Sequence, residues 1–284
     1  MEIETRYWMK EEFYMTNNIN LKSAPIQAIQ VVGVIEELFE NQLIGIYLYG
    51  SAILGGLHNK SDVDILVIIN QDLTEATRIE LTKRLMSISG KIGCKNLKRP
   101  LEVTVINKND IVPWKLPPKC EFMYGEWLRE QMEAGDIPQA YYDHDVAILL
   151  WQARSHSLSL KGPEAVKVIE HIPMKDIQKA IKFSLPELIA GVKGDERNVL
   201  LTLSRMWFTI VTGEICSKDM AAEWVIPKLP QNLAVLLETA RKAYLGECDD
   251  CWSDLEAEIT SLVAFMSKSI ENSLDNIDIS VLTK

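Results

Sequence analysis

No stretch of this chain approaches the roughly 20 consecutive apolar residues that a membrane-spanning helix needs, so no membrane segment is expected. Residues 1–18 are broken by Arg6, Lys10, Glu11 and Glu12, which is not the pattern of a secretory leader, and a cytoplasmic protein is expected. Basic residues are in deficit: 30 Lys and Arg face 40 Asp and Glu, for a net charge of −10 and a pI near 5.0. That balance argues against a protein that tracks RNA or DNA and suits a small cationic substrate. The five cysteines, Cys94, Cys120, Cys216, Cys248 and Cys251, are odd in number and scattered, unlike a disulfide framework. Cys248 and Cys251 have metal-like spacing, but no second pair stands near to complete four ligands. His58, His144, His156 and His171 form no motif and read as structural or solvated; only His144 stands apart, for its place beside Asp145. Neither an internal repeat nor a low-complexity tract is present, and a monomer is expected.

A length of 284 residues allows one large domain or two of typical size, and the patterning favours two. Ser23 stands as a cap before Ile26, Ile29, Val32, Ile35, Leu38 and Phe39, whose spacing predicts a helix. Residues 44–49 read as a strand running into Gly50-Ser51, and residues 62–69 as its neighbour. Residues 73–92 read as a helix with Leu81, Leu85 and Ile88 on one side, ended by Gly90 and Gly93. A strand over 100–106 follows, then a break at Pro113, Pro117 and Pro118, then a helix over 121–133. From about Tyr142 no strand is expected. Apolar residues recur at three- and four-residue intervals over 145–158, 176–192, 195–213, 218–225, 232–244 and 253–272, with Pro186 set to kink or divide the second of these. The expected fold is therefore α+β: a small mixed sheet with helices over residues 1–141, then an all-α bundle over 142–284.

The chemistry concentrates on Asp62-Val63-Asp64, separated by ten residues from Gly50-Ser51. On a strand Asp62 and Asp64 share a face while Val63, Ile65 and Val67 share the other. An Asp-x-Asp pair also occurs in solvated surface loops, but here it enters a run apolar on both faces, where two carboxylates carry a desolvation cost. A divalent cation would offset both that cost and their mutual repulsion, and hard oxygen ligands suit Mg²⁺. Glu102, alone among the apolar and β-branched residues of 100–106, either faces water on an edge strand or joins the aspartates as a ligand or base.

The Gly50-Ser51 to Asp62-Val63-Asp64 unit with a third acid on a later strand resembles the nucleotidyltransferase superfamily that includes DNA polymerase β. Longer strings narrow the resemblance: Leu48-Tyr49-Gly50-Ser51-Ala52, Pro100-Leu101-Glu102-Val103-Thr104, Tyr124-Gly125-Glu126-Trp127-Leu128-Arg129, Gly194-Asp195-Glu196-Arg197-Asn198 and Ser217-Lys218-Asp219-Met220-Ala221-Ala222-Glu223-Trp224. Together, from about residue 25 to 270, they closely resemble the aminoglycoside 3''- and 9-adenylyltransferases. The resemblance implies Mg-dependent transfer of AMP from ATP to a drug hydroxyl, with spectinomycin as acceptor. It implies Asp62 and Asp64 as magnesium ligands and Glu102 as base, metal ligand and substrate contact. Ser51 and Ser61 would be ATP-binding positions in the turn. Asp145, Asp195, Lys218 and Tyr244, taken as part of the helical domain, would close over nucleotide and substrate, with Arg205 a further phosphate-binding candidate and Trp127 and Asp195 contacting the drug.

Ser51 would open a short helix whose amino end favours phosphate. Each of these also has a plainer reading: Ser51 as a turn serine, Asp195 as a helix cap, Asp145 and Tyr244 as capping or packing residues, Trp127 as core, Lys218 as a solvated charge. Relatives that also accept streptomycin carry Trp and Asp where an ungapped comparison puts Pro186 and Gly191, so spectinomycin alone is the expected acceptor. The alternatives are an adenylyltransferase acting on the streptomycin 3''-hydroxyl, or a non-catalytic nucleotide-binding partner protein.

Overall fold

The computed structural model describes residues 24–58, 61–91 and 98–282, with side chains as far as Asp275. The Ser23 cap, Cys94, the helix end at Ile92 and Gly93, and the leader-free reading of residues 1–18 fall outside the described residues. Two compact units emerge, one reaching to Ile172 and the other running from Pro173, with His58 counted in the second. The division thus lies later than the expected boundary at 141. Among the described residues, no helix is long and apolar enough to cross a membrane, and Cys120, Cys216, Cys248 and Cys251 are free thiols.

The first unit is built on a five-stranded sheet. Helix α1 (Ile26–Phe39) precedes β1 (Leu43–Leu48) and β2 (Val63–Ile69). Helix α2 (Glu75–Ile88), whose amino end is capped by the Thr74 hydroxyl accepting from the Thr77 amide at 3.2 Å, returns the chain to β3 (Leu101–Asn107). A parallel β2–β3 pair needs such a crossover. Val63, Ile65, Val67 and Ile69 on one face of β2 pack with Leu101, Val103 and Val105 against α1 and α2, while Leu66 and Ile68 on the other face are also fully buried. The sheet is thus covered on both faces, as the unbroken apolar runs predict.

After the short α3 (Lys108–Ile111) and β4 (Lys119–Cys120) comes β5 (Phe122–Gly125), which pairs antiparallel with β3. This overturns the helix expected over 121–133. Phe122 and Tyr124 are fully buried across from Val105 and Val103, so pairing with β3 decides the conformation there, and helix is confined to the 3-10 turn Glu126–Leu128 and α4 (Arg129–Glu133). Beyond β6 (Tyr141–Tyr142) and α5 (Asp145–Ser155), strand β7 (Leu158–Lys161) pairs with β1 and completes the order β5-β3-β2-β1-β7. A strand after Tyr142 was not expected. Its four residues are too short to show a period, and its partner lies more than a hundred positions earlier.

In the second unit α6 (Met174–Ala190), α7 (Glu196–Thr212), α8 (Lys218–Val225), α9 (Gln231–Leu245) and α10 (Glu256–Leu282) form the expected all-α bundle. Gly213 and Gly246 end α7 and α9 with φ of 73° and 82°, the left-handed conformation that glycine takes without strain. Pro186 does not divide α6. Its ring faces solvent, and the one hydrogen bond it removes leaves the helix continuous.

Beyond the carboxyl ends of β2 and β3, Arg78 and Glu121 form an ion pair with side chains 7% and 1% exposed, and the Arg78 guanidinium also donates to the Glu121 and Pro138 carbonyls. Removing one member of such a pair leaves a buried charge uncompensated. Arg78→Met is expected to lower unfolding free energy by about 3–5 kcal/mol in urea titrations, whereas Arg84→Met, which breaks half-exposed pairs, should cost under about 1 kcal/mol. Equal midpoints for the two variants would refute the assignment.

Candidate active site

The parallel register of β2 and β3 sets Asp64 opposite Glu102, and the antiparallel register of β3 and β5 sets Glu102 opposite Gly125. On the other side Leu48 pairs with Ile65, and the Tyr49 amide donates to the Asp64 carbonyl at 3.1 Å. Tyr49, Asp64, Glu102 and Gly125 therefore make one transverse row whose side chains leave the same face, joined by Asp62 two residues before Asp64. All three acids are half-buried.

Two glycines clear space around this row. At Gly50, with φ of 66°, a Cβ would stand 1.8 Å from Asp64 Oδ2, so the carboxylate lies where only a hydrogen fits. At Gly125 a Cβ would meet the Trp127 ring at 2.4 Å, so the indole covers the place a side chain would take beside Glu102. Trp127 is 53% exposed, a large apolar surface left open rather than core. Tyr49 is buried, and its phenol donates to Glu102 Oε1 at 3.3 Å. Burial first, then the Glu102 and Asp64 charges, push its pKa well above the usual tyrosine value, so it stays a donor at working pH.

Ser51 sits in a single 3-10 turn, Gly50–Ala52, rather than opening a helix, so no long helix dipole is available there. Its Oγ is buried without a hydrogen-bond partner among the described residues, a group poised for an oxygen it does not yet meet. Ser61 is buried next to Asp62, and its carbonyl accepts from Arg99 Nη1 at 3.2 Å.

The strands carry a second acid cluster at their other end. Among the described residues, Asp72, Asp110 and Glu121 are the only three acids whose oxygens all lie within 4.8 Å of one another. Lys119 Nζ stands among them, 3.4 Å from Asp72, 3.1 Å from Asp110 and 3.1 Å from Glu121. Burial disfavours the Lys119 charge, yet hydrogen bonds and charges of Asp110 and Glu121 outweigh it and raise its pKa, so the ammonium acts as the resident cation. Asp62, Asp64 and Glu102 instead offer hard oxygen donors on one face of the sheet, beside a glycine that leaves room only for the Asp64 carboxylate; that donor set fits Mg²⁺, which keeps several waters and takes other ligands from substrate phosphates.

In the second unit the Asp195 side chain makes no backbone cap to α7, contrary to the capping alternative; it accepts from Asn198 Nδ2 at 2.8 Å. Asn198 Oδ1 in turn accepts from Lys218 Nζ, making an Asp195–Asn198–Lys218 chain. Asn198 was not singled out in the sequence, although a position three residues from Asp195 shares its helix face. Arg205 is half-buried on α7 near Cys216, whose thiol is pushed up to about 11 by burial against the pull of Arg205. Tyr244 meets the His58 ring edge-on, with centroids 4.7 Å apart. Asp145 opens α5 and belongs with the first unit, not with the helical one as expected; its amide donates to Asp143 Oδ1 at 3.0 Å. Pro186 and Gly191 are both exposed.

Two family descriptions match the chain: "Polymerase beta, Nucleotidyltransferase" over residues 34–114 and "Aminoglycoside adenylyltransferase, C-terminal domain" over residues 167–269. A spectinomycin 9-adenylyltransferase from Staphylococcus aureus (strain Mu50 / ATCC 700699) is 56% identical over 261 residues, which is 92% of this chain and 100% of the relative. An aminoglycoside (3'') (9) adenylyltransferase from Escherichia coli is 40% identical over 246 residues, 86% of this chain and 94% of the relative. The crystal structure of spectinomycin adenyltransferase AAD(9) from Enterococcus faecialis with ATP and spectinomycin aligns with a TM-score of 0.83 at 35% identity, covering 86% of this chain and 98% of that one. With its polymerase β-type sheet domain followed by an all-α domain, the chain belongs to the aminoglycoside adenylyltransferase family of nucleotidyltransferases.

Proposed function

We propose that this enzyme transfers AMP from ATP to the 9-hydroxyl of spectinomycin and so confers resistance to that drug. The observation that carries the reading is the in-register pair of Asp64 and Glu102 beside an open indole. It supplies acids for a nucleotide-bound cation, a base, and an aromatic surface for a ring-shaped acceptor within one transverse row. The identity to spectinomycin 9-adenylyltransferases, and the ATP and spectinomycin of the solved relative, support this acceptor and this donor.

Asp62 and Asp64 would hold Mg²⁺, with Glu102 beside them; when bound, that ion neutralises charge on the phosphates and on the leaving oxygen. Ser51 and Ser61 would hold phosphate oxygens through the turn. Lys218, oriented by Asn198, and Arg205 would supply positive charge to the triphosphate, and Tyr244 and Asp145 would contact the nucleotide. Trp127 and Asp195 would hold the drug, the carboxylate facing its ammonium groups. Glu102 takes the proton of the 9-hydroxyl as its oxygen attacks the α-phosphorus; the new P–O bond forms while the bond to the β-phosphate breaks, and pyrophosphate leaves.

Glu102→Gln should leave ATP affinity within about threefold and reduce transfer by at least about 10²-fold, the range of a lost general base. Pyrophosphate release at a near wild-type rate would reject Glu102 as the base. Gly125→Ala should displace the Trp127 ring and raise the spectinomycin KM about tenfold or more, on the scale of a lost stacking contact, with ATP KM little changed. An unchanged drug KM would remove Trp127 from the binding surface.

Specificity follows from α6. Pro186 and Gly191 offer neither aromatic surface nor carboxylate to a guanidinium-bearing drug, and losing such contacts costs roughly 1–3 kcal/mol, one to two decades of affinity. A Cβ at Gly191 would meet only carbonyl oxygens at 3.7 Å, ordinary contact distance, so an acid there is sterically allowed. Streptomycin is expected to show kcat/KM at least about tenfold below spectinomycin, and Gly191→Asp to narrow the gap. Equal use of both drugs by the unaltered enzyme would overturn the assignment.

A further inference from the structure

Tyr49 has no role in the chemistry above, yet it is the buried residue that reaches the proposed base. It follows β1 immediately, is 4% exposed, and turns its phenol toward Glu102 Oε1 at 3.3 Å. Glu102 lies beside Asp64, whose like charge pushes its carboxylate away, and a glutamate has three rotatable bonds through which to yield. A tyrosine has two, and burial of the ring leaves them little freedom. Thr104, two residues along β3 from Glu102, shares its face and is fully buried. Its hydroxyl donates to Met123 Sδ at 3.4 Å, and the Tyr49 phenol, with one hydrogen to give, gives it to Glu102, a charge-assisted bond to a carboxylate.

We propose that Tyr49 is a positioning residue that holds the Glu102 carboxylate toward the acceptor hydroxyl. The inference rests on Glu102 being the base. A base must stand within about 2.6–3.2 Å of the proton it takes, and a small misplacement is costly, so a fixed rotamer should act on the chemical step and not on substrate binding.

Single-turnover AMP transfer with Mg-ATP and spectinomycin tests this through a double-mutant cycle. Tyr49→Phe, nearly isosteric, should slow transfer about tenfold while both KM values stay within about twofold. In a Glu102→Gln background, with residual transfer followed by mass spectrometry, the same change should slow it no further. A Tyr49→Phe enzyme with unchanged transfer, or one slowed equally with and without Glu102, overturns the inference. Should Tyr49→Phe not fold, Tyr49→Met, an unbranched side chain that fills the space without a donor, decides: a loss of transfer rate at constant KM supports the positioning role, and an unchanged rate refutes it. Near wild-type transfer by Glu102→Gln would instead overturn the base assignment itself, a different outcome from the failure of the cycle.

Discussion

Parallel pairing of β2 with β3 is the constraint on which the rest depends. Because Asp64 falls opposite Glu102 in that register, two acids leave the same face of the sheet, and a slip of one residue would put Glu102 on the opposite face. The same register fixes what can stand on either side. Tyr49 comes in from β1 and Gly125 from β5, so the row runs from a phenol through two acids to a gap filled by an indole. Apolar packing of Val63, Ile65, Val67, Leu101, Val103 and Val105 against α1 and α2 holds the pairing in place. The core thus sets the chemistry by setting the register.

The two ends of these strands show how a sheet can carry acids in two ways. Beyond the carboxyl ends, Asp72, Asp110 and Glu121 are gathered around the Lys119 ammonium, and Arg78 pairs with Glu121. A cluster of that kind, with Glu121 buried, Asp110 half-buried and Asp72 exposed, is a structural device that holds its own cation. Near the amino ends Asp62, Asp64 and Glu102 are half-buried, with Gly50 giving way to the Asp64 carboxylate and a buried Ser51 hydroxyl close by in sequence. Hard oxygen donors gathered on one face of the sheet suit an ion that arrives with waters and phosphates.

Much of this was legible in the residues. The strands β1 to β3, helices α1 and α2, the bundle and the shared face of Asp62 and Asp64 follow from periodicity and from the cost of placing acids in an apolar run. What was not legible depends on partners distant in sequence. Segment 121–133, following the proline break, was expected to be helical, yet Phe122 and Tyr124 are buried by pairing with β3. Strand β7 exists only because β1 offers it an edge, and with it α5 and Asp145 join the first unit. Asp195 looked like a cap because a helix begins after it, whereas its carboxylate is engaged by Asn198. Gly125 drew attention only through its neighbour Trp127, since the need for a missing side chain appears only once the indole is seen lying across it.

Locating the divalent cation is the most direct test of where this enzyme does its chemistry. Anomalous diffraction from crystals grown with Mn²⁺ and a non-hydrolysable ATP analogue should place the ion beside Asp62 and Asp64, on the face that carries Glu102, with analogue phosphates completing its coordination. Density instead among Asp72, Asp110 and Glu121, displacing Lys119, would contradict the assignment of the amino-terminal acids as the catalytic centre.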